Sequence, residues 1–241
     1  MGTVLAALGQ AFFSLSLGMG AMITYGSYLP PDADLRRSGL LVAVFDTSIA
    51  ILAGLMIFPA VFAMGQDPAE GTSLVFTVLP HVFESMPGGA IFAPAFFILL
   101  SIAALTSTVS LLEVVVSYLV DERAWTRHRA AWGVGGLTFL LGLPSALSAG
   151  AVDSLTHLRL FGQEGFLGVM AFLFGSISLA LGGLLLSTFV GWVWGAGPAG
   201  EEFARGGSMG ARNLAVWRFF IRWVCPVVIA IVLLNVFGVF S

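Results

Sequence analysis

Long apolar runs separated by short polar stretches dominate this chain. A helix needs about 20 predominantly apolar residues to cross a bilayer core. Six runs meet that length, at about residues 4–29, 39–64, 90–120, 130–149, 165–195 and 214–240. Several exceed about 25 residues, which permits tilt or kinks. The pattern predicts an all-α integral membrane protein, with six transmembrane helices in a single transmembrane domain. Between the first two runs, Pro30 and Pro31 stop one helix before the next restarts. Residues 70–88 are amphipathic, interrupted at Pro80 and closed by Pro87, Gly88 and Gly89. They are expected to form an extracellular capping hairpin rather than a seventh span.

The first run is not written like a simple anchor. Residues 10–25 read QAFFSLSLGMGAMITY, with Ser14, Ser16, Gly18 and Gly20 near the middle and Phe13 and Met19 beside them. Glycine weakens a helix interior because it loses the most backbone entropy. Small residues of this kind let two helices pack closely. They also suit a broken helix whose freed backbone lines a cavity at bilayer depth, the device by which many secondary transporters hold ions and substrates. The spacing leaves both readings open.

Charge orients the spans. Arg36 and Arg37 follow the first span, Arg123, Arg127 and Arg129 follow the third, and Arg205, Arg212, Arg218 and Arg222 lie between or beside the last two. The remaining loops carry only Arg159. By the positive-inside rule both ends of the chain are expected outside, in a multi-pass protein of the cell inner (plasma) membrane. Trp125, Trp132, Trp192, Trp194, Trp217 and Trp223 fall at the inner ends, as an interfacial belt does.

Composition narrows the class further. The chain is 58% hydrophobic and 10% charged, against roughly 25% charged in soluble domains. It has no basic tract, so nucleic acid is not an expected partner. Its one cysteine, Cys225, cannot form a disulfide within the chain. No cleavable signal peptide is evident, so the first span is expected to act as its own insertion signal unless the chain is part of something longer. His81, His128 and His157 are scattered through loops, and no nucleophile–base pairing suggests an enzyme. Gly182 and Gly183 follow no phosphate-cradling pattern and read as packing.

Two acids lie inside spans, Asp46 and Glu113. A carboxylate at that depth is costly and usually marks an ion, proton or substrate path, although both sit within about two turns of an inner end, where solvation is an alternative. Residues 103–113, AALTSTVSLLE, carry a hydroxyl patch at Thr106, Ser107, Thr108 and Ser110. Hydroxyls and freed carbonyls are hard oxygen donors suited to a small hard cation. The bland alternative is that they bond to their own helix carbonyls. Paired carboxylates with chelating spacing are absent, so a divalent-metal site is not expected.

With these residues in view, the chain resembles the neurotransmitter:sodium symporters, especially bacterial members of the leucine-transporter type. Residues 10–25 resemble the family's sixth helix, residues 103–113 with Asp121 and Glu122 its eighth, and residues 182–192, GGLLLSTFVGW, its tenth. The resemblance implies the second half of a leucine-transporter-like fold, helices six to eleven, with a broken first helix in this chain. It implies that Phe13, Ser14, Ser16 and Met19 line a substrate pocket faced by Ser107 and Leu111. Ala103, through its carbonyl, Thr106 and Ser107 would form half of one sodium site, and Ser14 and Asp46 would contribute to another. Gln10 would neighbour the latter, and Asp121 would form half of a cytoplasmic gate near Tyr28.

The family often has asparagine where Asp46 stands, with chloride bound nearby. A carboxylate there implies that chloride is not required and that Asp46 carries a proton on the return step; Ala50 leaves it the only such charge. Ala171 falls where helix ten usually offers an acid to an outer-gate arginine, which puts that gate in doubt. The expected function is sodium-coupled symport of amino acids or related small amines by alternating access. The apolar residues Phe13, Met19 and Leu111 favour a neutral hydrophobic or aromatic amino acid. The expected partners are that substrate, the lipid bilayer, and a half carrying helices one to five or an oligomeric partner. A non-transporting membrane scaffold that retains the fold is the rival reading.

Overall fold

The computed structural model describes residues 2–63, 65, 74–207 and 211–239. Residues 70–73 of the expected hairpin, residue 64 at the end of the second run and residue 240 at the end of the sixth lie outside the described residues. Five helical stretches among the described residues are long and apolar enough to cross a membrane: Leu35–Ala63, Gly89–Arg123, Arg127–Leu147, Gly165–Val193 and Arg212–Val236. The first apolar run takes a different form. It folds as two short helices, α1 (Gly2–Ser14) and α2 (Ala21–Ser27).

The remaining helices are α3 (Leu35–Ala63), α4 (Leu79–Ser85), α5 (Gly89–Arg123), α6 (Arg127–Leu147), α7 (Asp153–Thr156), α8 (Gly165–Met170), α9 (Ser178–Thr188), α10 (Ala196–Ala204), α11 (Ala211–Phe219) and α12 (Cys225–Val236). π-Helical turns lead into α4 and join α8 to α9 and α11 to α12; another, Phe189–Val193, follows α9. Between α7 and α8 a two-residue antiparallel pair, β1 (Arg159–Leu160) and β2 (Gln163–Glu164), closes through Phe161 and Gly162, both at positive φ. Arg159 forms an ion pair there with Glu164.

The chain divides into two compact units, residues 40–109 and residues 1–39 with 110–241. In the first, α4 packs its Leu79 and Val82 against Val61 near the end of α3, with Phe83 tilted against Phe96 and edge-on to Phe97 of α5. Gly89 is obligatory at the start of α5, because a Cβ there would lie 1.7 Å from the carbonyl oxygen of Phe83. Most other large apolar side chains of α3 and α5 face outward; Ile91 is 75% exposed. That is the surface a helix presents to lipid or to another membrane helix rather than to water.

In the second unit the interruption between α1 and α2 is wedged against α9. Three residues there have left-handed backbone: Ser16 at φ 52°, Gly18 at 84° and Gly20 at 85°. A Cβ on Gly18 would lie 2.3 Å from the Leu179 carbonyl oxygen and 2.6 Å from the Gly183 nitrogen. A Cβ on Gly182 would lie 2.4 Å from the Gly18 carbonyl oxygen, and one on Gly183 2.9 Å from the ring of Phe12. Backbone touches backbone here, as only glycine allows. The sequence offered close packing or a broken helix for these positions; the fold uses both.

Gly18→Ala adds a clash to a strained conformation and is expected to cost about 2–4 kcal/mol. Gly142, inside α6 with open space around it, is the contrast: Gly142→Ala is expected to be neutral or to stabilise by up to about 1 kcal/mol. Melting followed by circular dichroism in micelles checks the pair, and equal melting temperatures would overturn the account of the break.

Candidate functional site

The candidate site is built on the interruption in the first apolar run. Helix α1 ends because the chain beyond Ser14 curls back on itself: the Ser16 amide donates to the Phe13 carbonyl and the Leu17 amide to Phe12, each at 3.0 Å. Left-handed residues at 16, 18 and 20 then prevent an α-ladder from passing through. Helical pairing resumes when the Thr24 amide and hydroxyl both donate to the Gly20 carbonyl, at 2.9 and 3.2 Å. Ser16 is the costly member, since a non-glycine residue with left-handed backbone is strained and such strain clusters at binding sites.

Around the break, Phe13 and Ser14 are exposed while Ser16 and Met19 are half-buried. Gln10 and Phe13 line an open cavity of about 410 Å³ with Ala171, Gly175 and Ser176 on the facing π-helical turn. A small residue at 171 leaves that space open. A Cβ on Gly20 would lie 2.8 Å from Cγ1 of Val114 on α5, so the break is pinned from a second side.

Below the break, α2 is tied to the 110–123 part of α5. The Tyr25 hydroxyl bonds to the Ser110 hydroxyl at 2.6 Å. One turn on, the Tyr28 hydroxyl donates to Glu113 Oε1 at 2.5 Å. Arg127, at the start of α6, donates through Nη2 to both oxygens of the same carboxylate at 2.7 Å. The Glu113 side chain is only 13% exposed, against 64% for Arg127. A largely buried carboxylate is thus held by a cation and a phenol. Leu111, beside this ladder, is exposed.

The resemblance sets Tyr28 near Asp121, but the partner its hydroxyl takes is Glu113. Asp121 lies about two helical turns further on; it is exposed and makes no hydrogen bond or ion pair among the described residues. Sequence reasoning gave Glu113 no partner and used Arg127 only as an orientation charge. The identical 85-residue separation of Tyr25–Ser110 and Tyr28–Glu113 is the signal that could have linked them.

The expected cation donors Ala103, Thr106 and Ser107 lie together on α5 in the other unit, where Asp46 is half-buried on α3. The Thr106 hydroxyl donates to the Ala103 carbonyl at 2.8 Å, and the Thr108 hydroxyl donates to Ala104 at the same distance. The bland alternative therefore holds for both threonines. It does not remove them as donors, because a hydroxyl that gives its proton keeps lone pairs for a cation. Ser107 is exposed, and its hydroxyl makes no hydrogen bond among the described residues. Two hydroxyls and a carbonyl, all hard and uncharged, suit a monovalent ion better than a soft metal.

Comparison with known proteins fits this geometry. The family model described as the sodium:neurotransmitter symporter family matches residues 3–241. An uncharacterised sodium-dependent transporter of Bacillus subtilis, YhdH, is 38% identical over 99% of this chain and 52% of its own length. One of Haemophilus influenzae is 34% identical over 95% of this chain and 49% of its own. The crystal structure of MhsT in complex with L-phenylalanine superposes with a TM-score of 0.88, at 44% identity, over 98% of this chain and 52% of that one. The chain thus spans about half the length of the relatives it matches. These are transporters, not enzymes.

Disruption of the Glu113 cluster gives a measurable coupling. Tyr28→Phe and Glu113→Gln should each destabilise the chain, and the double variant should fall short of their sum by about 0.5–3 kcal/mol. Unfolding of the four proteins in micelles reads the cycle; strict additivity would mean that the contact carries no energy.

Proposed function

This chain belongs to the sodium:neurotransmitter symporter family, and from that premise we propose that it supplies half of a sodium-coupled symporter for a neutral hydrophobic or aromatic amino acid. The observation that carries the reading is the interruption at residues 15–20, which takes backbone out of helical pairing next to a cavity lined by Gln10 and Phe13. Freed amides and carbonyls at bilayer depth suit the charged carboxylate and ammonium of an amino acid, while Phe13, Met19 and Leu111 suit an apolar side chain. The phenylalanine bound by MhsT supports that substrate class.

Ala103, Thr106 and Ser107 would hold one sodium ion, and Ser14 with Asp46 another. Asp46 supplies fixed negative charge where other members use chloride, and would take a proton when the empty carrier returns. Gln10 would neighbour that site. The end carrying Tyr28, Asp121 and Arg127 would face the cytoplasm, since nine of the ten arginines lie on that side. Opening there requires α2 to leave α5, breaking the bonds of Tyr25 and Tyr28. Helices one to five, which the relatives' additional length would provide, would complete the chamber. Ala171, in place of an outer-gate acid, favours the second reading, a partner subunit that keeps the fold without transporting.

Sodium-dependent binding of radiolabelled phenylalanine and leucine to the purified chain, with and without helices one to five of a close relative, tests the main reading. Binding that needs both the added half and sodium is expected. Its absence in a folded mixture would favour the scaffold. In a complete transporter carrying this half, Asp46→Asn should abolish pH-dependent counter-transport, and unchanged proton coupling would remove that role from Asp46.

A further inference from the structure

Away from the helix break, a second set of close contacts builds a groove where α10 meets α11. A Cβ on Gly200 would lie 3.0 Å from Cδ1 of Leu214 and 2.9 Å from Nε of Arg218, so the two helices touch at this point. One turn on, Phe203 stacks on Trp217 with ring centroids 4.7 Å apart and planes 12° from parallel. The chain then passes through Gly206, at φ +72°, where a Cβ would sit 2.4 Å from the carbonyl oxygens of both Asp32 and Ala33. That contact fastens residues 32–34 beside the end of α10. Arg36, in the first turn of α3, lines an open groove of about 460 Å³ together with Phe203, Trp217, Val216, Phe220 and Asn213.

Two of the acids nearby are already engaged. The Asp34 carboxylate accepts from the Arg37 amide at 3.0 Å, and Glu202 pairs with Arg205 at 2.7 Å. Arg36 makes no hydrogen bond or ion pair among the described residues, and neither does the side chain of Asn213. The groove thus offers a guanidinium and a carboxamide above an aromatic and aliphatic wall. A guanidinium carries five donors and no acceptor, in a fork that matches phosphate oxygens. The wall suits hydrocarbon, and tryptophan favours the headgroup depth. The groove opens at the arginine-rich ends of membrane-spanning helices, where anionic lipids concentrate.

We propose that this groove binds an anionic phospholipid, with Arg36 and Asn213 donating to its phosphate and the start of an acyl chain lying along Val216 and Phe220. The proposal rests on the chain being a membrane protein and not on what it transports. The test is native mass spectrometry of the delipidated chain in micelles, with phosphatidylglycerol or phosphatidylcholine added. Phosphatidylglycerol should be retained about fivefold better, equivalent to the ~1 kcal/mol of one arginine at an anionic surface. Arg36→Gln should bring that ratio close to one and Asn213→Ala should lower it, each providing an independent test.

Arg123→Ala, exposed and on the same side of the membrane, should leave the ratio unchanged. An unchanged preference in both groove variants would overturn the site, as would an equal loss in Arg123→Ala. Displacement of the lipid by millimolar inorganic phosphate would overturn the lipid assignment in favour of a phosphate site. Failure of the membrane reading would be seen separately, as a chain that stays soluble without detergent.

Discussion

A peptide group that leaves its helix inside hydrocarbon has no water to turn to, and the second unit of this protein is arranged around that constraint. Between Ser14 and Ala21 the ladder fails. The freed chain is covered by backbone from α9, with Gly18 against Leu179 and Gly183, and Gly182 against Gly18. An unsatisfied group in lipid costs several kcal/mol, so a break of this kind persists only where a neighbour comes close enough to shield it. Glycine on both sides of the contact permits that approach. Remove either glycine and the break must move or close.

Much of this was legible in the sequence. Apolar run lengths marked the long helices, and Pro30, Pro31 and Pro80 marked where helices stop or start. The serine and glycine positions marked the break without deciding between packing and interruption, because left-handed backbone and close contact demand the same residue type. Helix α5 runs to Arg123, past the expected end near 120, and is stopped by Ala124 at φ 51°. Alanine carries no turn signal, so that stop was unreadable. The Glu113–Arg127 pair went unread with it, since that turn precedes Arg127. The strand pair at 159–164 was missed because two residues a side give no periodicity.

The hydroxyl patch on α5 shows why composition alone cannot separate a cation site from helix self-bonding. Thr106 does what threonine does in any membrane helix, donating to the carbonyl of Ala103. Yet that bond leaves a hydroxyl oxygen and a carbonyl oxygen 2.8 Å apart, two hard donors side by side, so self-bonding does not by itself exclude an ion. In the same way the exposure of Phe13, Ser14 and Ser107 would count against a core position. In a chain spanning half the length of its relatives, exposure alone does not decide a side chain's role.

The paired bonds between α2 and α5 carry one more consequence. Tyr25 and Tyr28 are three residues apart, and so are Ser110 and Glu113, so the two helices run in the same direction and meet like a toothed rack. Three residues correspond to about 4.5 Å of helix. A slide of α2 by that one notch towards the end of α5 would bring Tyr25 opposite Glu113, exchanging one hydroxyl for another on the same carboxylate. Positions between the notches would leave the carboxylate without its phenol. A contact built on that repeat has discrete stops rather than a smooth path.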